Sequence, residues 1–152
     1  MRKRFAAVVA CGALLGFGSI SAAQSNQGGQ SLAGAWNVSI HFDGGIPPCA
    51  APTVFNADGG MVANACSLNE SPGYGTWVRT RDHEFASTFI GLEFGSDGST
   101  VGTYRVRAKA TLSSDGLTFT APFKTEIFAL DGTVIFAATG TVTARRILVE
   151  PL

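Results

Sequence analysis

Residue types that commonly carry out catalysis are few and scattered in this chain. It has two histidines, His41 and His83, which lie far apart in the sequence. His41 falls on the outward face of its predicted strand and His83 in a turn, so we interpret both as solvated residues. No hydrolase elbow or phosphate loop is present, and no histidines and carboxylates show metal-ligand spacing. We therefore expect no metal site, no cofactor and no catalytic site of a standard motif.

Arg79 is the one basic residue whose side chain is expected to point into the interior of the fold. It shares a strand face with Trp77, and Asp82 or Glu93 could lie near it. Three roles stay open for Arg79: an internal ion pair, a clamp for the carboxylate of a ligand, and one half of a catalytic pair. The ion pair is the commonest of these arrangements and the clamp is the next.

A set of aromatic and small side chains shares the predicted inner face of the strands. Small residues beside large rings leave space, so we favour a cavity over a filled core. The small residues are Ala108, Ala110, Ala121, Ala138 and Gly140. The aromatic residues are Phe85, Phe89, Tyr104, Phe119, Phe123 and Phe136. The predicted ligand-binding residues are Trp77, Arg79, Phe89, Tyr104, Phe119, Phe123, Thr125 and Phe136.

These side chains must be positioned by strands, because turn signals such as Asp-Gly separate short alternating segments along the chain. Glycine takes the positive φ of a tight hairpin at little cost, and aspartate tolerates it. Short connections favour antiparallel neighbours in sequence order, and long final strands favour a closed barrel over a sandwich. We predict an all-β fold, an eight-stranded antiparallel up-and-down (meander) β-barrel. The predicted strands are roughly 33–42, 51–56, 60–66, 74–80, 84–94, 99–112, 117–130 and 133–147.

Alternation breaks in one predicted strand. Phe85 and Phe89 lie on one face, whereas Leu92 and Phe94 lie on the other. An extra residue in a strand shifts the faces in this way, so we predict a β-bulge near Gly91.

The first predicted strand begins with Gly34-Ala-Trp36, and the last ends near Arg145-Arg146. This pairing resembles the calycin superfamily, the meander barrels that include lipocalins, fatty-acid-binding proteins and avidins. The resemblance implies that Trp36 closes one end of the barrel and that a basic side chain covers its indole, a favourable stacking. Strand parity selects Arg146 as the cover, and Gly34 leaves room for close packing at the rim. The chain has two tryptophans, fewer than a biotin-binding barrel would need.

The first residues indicate export. Residues 2–4 are basic, residues 5–17 form an apolar run too short for a bilayer, and small residues precede a predicted cleavage after Ala23. We predict a removed signal peptide (1–23), a flexible lead-in (24–31) and one barrel domain (32–150) in a secreted or periplasmic protein. No later run is long enough for a membrane span.

The charge balance does not favour a nucleic-acid partner. The chain has 11 Lys and Arg and 11 Asp and Glu, and three of the basic residues lie in the predicted leader. The remaining chain is therefore mildly acidic and has no basic stripe that could neutralise a run of phosphates.

Two cysteines, Cys49 and Cys66, follow the predicted cleavage site. The turn signal at 56–60 lies about midway between them, so a hairpin there would bring them nearly opposite each other. Neither has the close spacing of a redox pair or a metal site. We predict a disulfide, as is usual for an even cysteine count in an exported chain.

Three functions remain open. The leading hypothesis is an exported barrel that binds a small apolar molecule in its interior. The second is a cofactor-free cyclase or isomerase, which would act mainly by folding an apolar substrate in a shaped cavity. The third is a protein-binding barrel such as a protease inhibitor, which would use residues 24–30 or the loops near 46–48 and 68–73. Outward Phe128, Leu130 and Ile135 are a candidate patch for a homo-oligomer.

Overall fold

The computed structural model describes residues 31–152. The predicted signal peptide and most of the predicted lead-in lie outside the described residues. These described residues form nine strands and one short 3-10 turn, Asp43–Gly45. The strands are β1 (Gly34–Phe42), β2 (Cys49–Ala50), β3 (Thr53–Phe55), β4 (Gly60–Ala63), β5 (Gly73–Arg79), β6 (Glu84–Phe94), β7 (Thr100–Leu112), β8 (Thr118–Ala129) and β9 (Val134–Arg146).

All pairings are antiparallel, and β3 to β9 follow one another in chain order. β1 pairs with β9 from Trp36↔Arg146 to Phe42↔Gly140, which closes the sheet into a barrel. β2 and β3 both pair with β1, at Ser39–Ile40 and at Gly34–Trp36 respectively. β2 and β3 therefore occupy a single strand position in the barrel, and the barrel has eight strand positions. The predicted eight-stranded antiparallel up-and-down barrel is confirmed, and residues 31–152 contain no α-helix.

Aspartate side chains stabilise the predicted hairpin turns, which fix the register of the strands on either side. In four hairpins an aspartate Oδ1 accepts a hydrogen bond, 2.9 Å long in each, from the backbone N–H two residues later. A glycine of positive φ separates the two residues. This local pattern ends one strand and starts the next without tertiary help. The four aspartates are Asp58, Asp97, Asp115 and Asp131.

The predicted bulge near Gly91 is wrong. β6 pairs residue by residue with β7 as far as Glu93↔Gly102, and the register shifts only at the next pair, Phe94↔Thr100. Leu92 is 41% exposed on the outer surface, although it is apolar. The parity of Phe85 and Phe89 therefore continues without interruption, and Gly91 and Glu93 share the inner face.

The disulfide between Cys49 and Cys66 is confirmed, with the Cα atoms 5.6 Å apart. The hairpin between β3 and β4 lies between the two cysteines, as predicted. The bridge ties the loop that follows β4 to β2, which pairs with β1. Nowhere in residues 31–152 is there a helix with the length and hydrophobicity needed to cross a bilayer.

The outer surface is mixed. Arg107 and Lys124 both bind the carboxylate of Glu126. In the predicted oligomer patch, Leu130 is 75% exposed and Ile135 63% exposed. The guanidinium of Arg105 lies over the ring of Phe128, 4.8 Å from its centroid. A role for this patch in self-association stays a prediction.

Candidate ligand cavity

One end of the barrel, which we call the closed end, is filled by aromatic rings. Trp36 is completely buried there, and its Nε1 donates a hydrogen bond to the Leu32 carbonyl at 2.8 Å. The ring of Phe119 meets the indole edge-on, with centroids 4.8 Å apart. The indole of Trp36 is therefore both buried and hydrogen-bonded, as is usual for an interior tryptophan.

Arg146 covers the indole of Trp36, with the guanidinium carbon 4.3 Å from the ring centroid. Its three nitrogens donate hydrogen bonds of 2.7–2.8 Å to the carbonyl oxygens of Ser31, Ala33 and Gly116. A Cβ on Gly34 would lie 2.6 Å from Nη1 of Arg146, so only glycine leaves space for this side chain. The positive charge of Arg146 is therefore accommodated by carbonyl dipoles and an aromatic face, without a carboxylate.

Two of the predicted ligand-binding residues, Trp77 and Arg79, also lie at the closed end. Trp77 donates from Nε1 to the Asn56 carbonyl at 2.9 Å. Arg79 is exposed, donates to the Asp82 carbonyl at 3.0 Å and covers the ring of Phe85 at 5.1 Å. Neither residue lines the cavity described below, whereas Glu93 does.

The interior beyond the closed end holds a cavity of about 140 Å³ that is partly open to solvent. Six of the predicted ligand-binding residues line it: Phe89, Tyr104, Phe119, Phe123, Thr125 and Phe136. Of the small residues, Ala108, Ala110 and Ala121 line it, whereas Ala138 and Gly140 do not. Most other lining side chains are aliphatic or aromatic, among them Val38, Ile40, Phe42, Phe55, Met61 and Val142. We call the part of the barrel around this opening the cavity end.

Two carboxylates, Glu70 and Glu93, line the same cavity. Sequence reasoning had named Glu93 only as a possible partner of Arg79 and had not singled out Glu70. Residues 69–71 and 92–94 are joined by two backbone hydrogen bonds, of 2.7 and 3.0 Å, on either side of the Glu70↔Glu93 bridge. The two glutamates therefore form a non-hydrogen-bonded antiparallel pair, the kind with Cα atoms about 4.5 Å apart and the closest side chains. Their carboxylates are near neighbours inside an apolar chamber.

The environment of Glu93 disfavours its charge. Its Oε1 is buried without a hydrogen-bond partner, although the residue as a whole is only partly buried. Burial raises the pKa of the Glu93 carboxyl above its ordinary value, and the charge of Glu70 raises it further. Glu70 is better satisfied, because its Oε2 accepts a hydrogen bond of 3.1 Å from the Cys66 N–H.

Tyr104 stands beside the glutamates on β7. Its hydroxyl donates to the Ser71 carbonyl at 2.8 Å, and its ring lies against Gly91, where a Cβ would come within 2.4 Å of the ring atoms. Burial, followed by the charges of Glu70 and Glu93, raises the pKa of the phenol well above its ordinary value. Tyr104 is therefore a neutral donor whose hydrogen is already used.

A signal for Glu93 was present in the sequence. Glu93 has the same strand parity as Phe85 and Phe89, and it would have been placed inside without the supposed bulge. Glu70 had no such signal, because it lies in an irregular loop where side chains do not alternate.

No family model, curated protein or solved structure matches this chain. Among residues 31–152, no three histidine, cysteine, aspartate or glutamate side chains come together as metal ligands would.

Proposed function

We propose that this protein is an exported β-barrel that binds a small apolar molecule in the cavity. The observation that carries the proposal is the chamber of about 140 Å³ in the same barrel whose other end holds the fully buried side chains of Trp36, Phe85 and Leu32. An engineered apolar cavity of about 150 Å³ in another protein stays dry and binds benzene, so this volume suits a small ring or chain. The opening would let a longer ligand extend into solvent.

The disulfide between Cys49 and Cys66 supports the export part of the proposal. Such bridges persist in oxidising compartments, and the extracellular space and the periplasm are both of this kind. Secretion through the predicted leader fits the same picture.

Filling the cavity tests the binding proposal. Ala108 lines the cavity, whereas Ala137 is exposed on the outer surface of β9. We expect toluene to bind the wild type and the control A137L alike in titration calorimetry. We expect A108L to lose this binding at least tenfold while keeping the circular dichroism spectrum of the wild type. Equal toluene affinity in A108L and A137L would show that the cavity is not the site.

A second candidate function, a cofactor-free isomerase, is favoured by Glu93. A carboxyl group with a raised pKa against an apolar chamber is suited to take a proton from a substrate and return it. For cyclohex-3-enone, Glu93 would remove a proton from C2 and deliver it to C4, which moves the double bond into conjugation with the ketone.

The isomerase candidate is tested by the absorbance of the conjugated ketone. We expect the wild type and E84Q to accelerate its formation, and E93Q to lose at least tenfold of that acceleration. Glu84 is the matched control, because it lies on the same strand with its side chain 50% exposed. A rate equal to that in buffer alone would remove this candidate. The protein-binding alternative stays a prediction.

A further inference from the structure

The polar groups of the cavity are strongly one-sided in charge. The ionisable side chains that line it are Glu70, Glu93 and Tyr104. Among the described lining residues there is no lysine, arginine or histidine. The guanidinium of Arg146, which stacks on Trp36, belongs to the closed end and donates hydrogen bonds to three carbonyl oxygens there.

Two hydroxyl groups that line the cavity have their hydrogens engaged in hydrogen bonds to the backbone. Tyr104 gives its hydrogen to Ser71, and the lining hydroxyl of Thr53 gives its hydrogen to the Ala51 carbonyl at 2.9 Å. Glu93 Oε1 is a buried acceptor to which nothing in residues 31–152 donates. A buried acceptor without a donor costs free energy, and a ligand that donates to it removes that cost.

The like charges of the Glu70–Glu93 pair add a second cost. Like charges directly opposite each other on adjacent strands destabilise a sheet, and an apolar chamber screens them less than water does. A cation placed between the two carboxylates would turn this repulsion into attraction. A carboxylate in the same place would bring a third negative charge with no counter-ion.

From this geometry we propose that the cavity selects small apolar amines, whose ammonium group donates hydrogen bonds to Glu93 and Glu70, and that it rejects carboxylic acids of the same shape. This inference rests on the proposed binding function and names its ligand class. The apolar lining would hold the hydrocarbon part of the amine, and the carboxylates would hold its head.

The test uses four ligands of nearly the same shape: benzylamine, benzyl alcohol, toluene and benzoate. Each is titrated by calorimetry at neutral pH into the full chain purified after export. We expect benzylamine to bind at least tenfold more tightly than toluene, benzyl alcohol to fall between them, and benzoate to show no detectable binding.

Two isosteric variants and one control assign the preference to residues. We expect E93Q and E70Q each to reduce the benzylamine preference over toluene to threefold or less. E84Q removes a carboxylate of the same strand at the other end of the barrel, and we expect it to keep the full preference. A circular dichroism spectrum equal to that of the wild type shows that each variant is folded.

The outcomes separate this inference from the function beneath it. If toluene binds the wild type as tightly as benzylamine, the cavity function stands and the amine preference is overturned. Tighter binding of benzoate would overturn the preference as well. An amine preference that survives in the double variant E70Q/E93Q would overturn its assignment to this pair. If none of the four ligands binds, the proposed function itself fails.

Discussion

The two ends of the barrel treat buried charge in opposite ways. At the closed end, the guanidinium of Arg146 reaches three carbonyl oxygens and an indole face. At the cavity end, Glu93 keeps one oxygen without a partner and faces a second carboxylate, Glu70. The interactions of Arg146 lie within the closed end and can be explained by a contribution to the stability of the fold. The incompletely partnered carboxylate in the apolar chamber is the basis of the proposed preference for amines.

Glycine marks both ends, and again the purposes differ. Gly34 leaves room for the side chain of Arg146, which covers the buried indole of Trp36. Gly91 leaves room for the ring of Tyr104, which forms part of the cavity wall. The close approach at Gly34 fills space, whereas the one at Gly91 shapes a space that stays open.

The largest expected loss of stability comes from removing the indole of Trp36, which fills the closed end. Trp36→Ala deletes a completely buried indole, and such truncations cost about 3–5 kcal/mol of unfolding free energy. Phe136→Ala at the cavity end removes a ring that is 43% exposed, so we expect the smaller loss, below about 1.5 kcal/mol. Urea denaturation measures both. Equal losses would remove the distinction between a filled end and an open one.

The disulfide comes next in size. The Cys49–Cys66 bridge spans 17 residues, and in the loop-entropy description a closed loop of this length contributes about 3 kcal/mol. We expect the double variant C49S/C66S to lose about this much. A reducing agent should destabilise the wild type and leave the double variant unaffected. Destabilisation of both proteins by the reductant would show that it acts elsewhere.

Arg146, which covers the indole of Trp36, is expected to contribute less to the free energy of unfolding than Trp36 itself. Arg146→Lys keeps the charge but loses the fork that reaches three carbonyls, and hydrogen bonds to charged groups contribute about 1.5–3 kcal/mol. Arg145→Lys is the matched control, because Arg145 is exposed on the next position of β9, and we expect a change within about 0.5 kcal/mol. If the two substitutions have equal effects in urea, the hydrogen bonds of Arg146 are not stabilising.

The smallest expected change in stability is that of E93Q, and its dependence on pH has a defined direction. Because the pKa of Glu93 is raised in the folded state, its protonated form adds stability below the ordinary glutamate pKa of 4.5, and this is lost as the pH rises through the raised pKa. Glu70 and Tyr104 are the ionisable groups that face it in the cavity. We therefore expect E93Q to become more stable than the wild type as the pH rises toward neutrality, by less than about 1 kcal/mol.

Paired denaturation curves between about pH 4 and pH 8 test this sign. Asp97, Asp115, Asp131 and Glu126 have lowered pKa values, but they are present in both proteins and cancel in the difference. A wild type that gains stability over E93Q as the pH rises would contradict the account of the carboxylate pair.

Local rules in the sequence predicted most of the fold. Asp-Gly turns and two-residue alternation act over a few residues, so they were sufficient for the strands and for the hairpin between Cys49 and Cys66. Parity also placed Phe89, Tyr104 and Thr125 on the inner face. These features need no knowledge of distant contacts.

The remaining features depend on distance along the barrel and on pairing between irregular segments. Parity says whether a side chain faces inward but not which end it occupies, so Trp77 and Arg79 were grouped with the cavity although they lie at the closed end. Leu92 is apolar but lies on the outer surface, so the assumption that it faces inward led to the prediction of a bulge. The meeting of Glu70 with Glu93 depends on one isolated bridge, for which the sequence carries no pattern.

Native mass spectrometry of the chain exported to and purified from a periplasm tests most directly whether the cavity end is a binding site. We predict a reproducible additional mass that leaves on gentle activation and that is absent from A108L but present on A137L. A bare mass for all three proteins, unchanged after exposure to a mixed extract of small apolar molecules, would contradict the account.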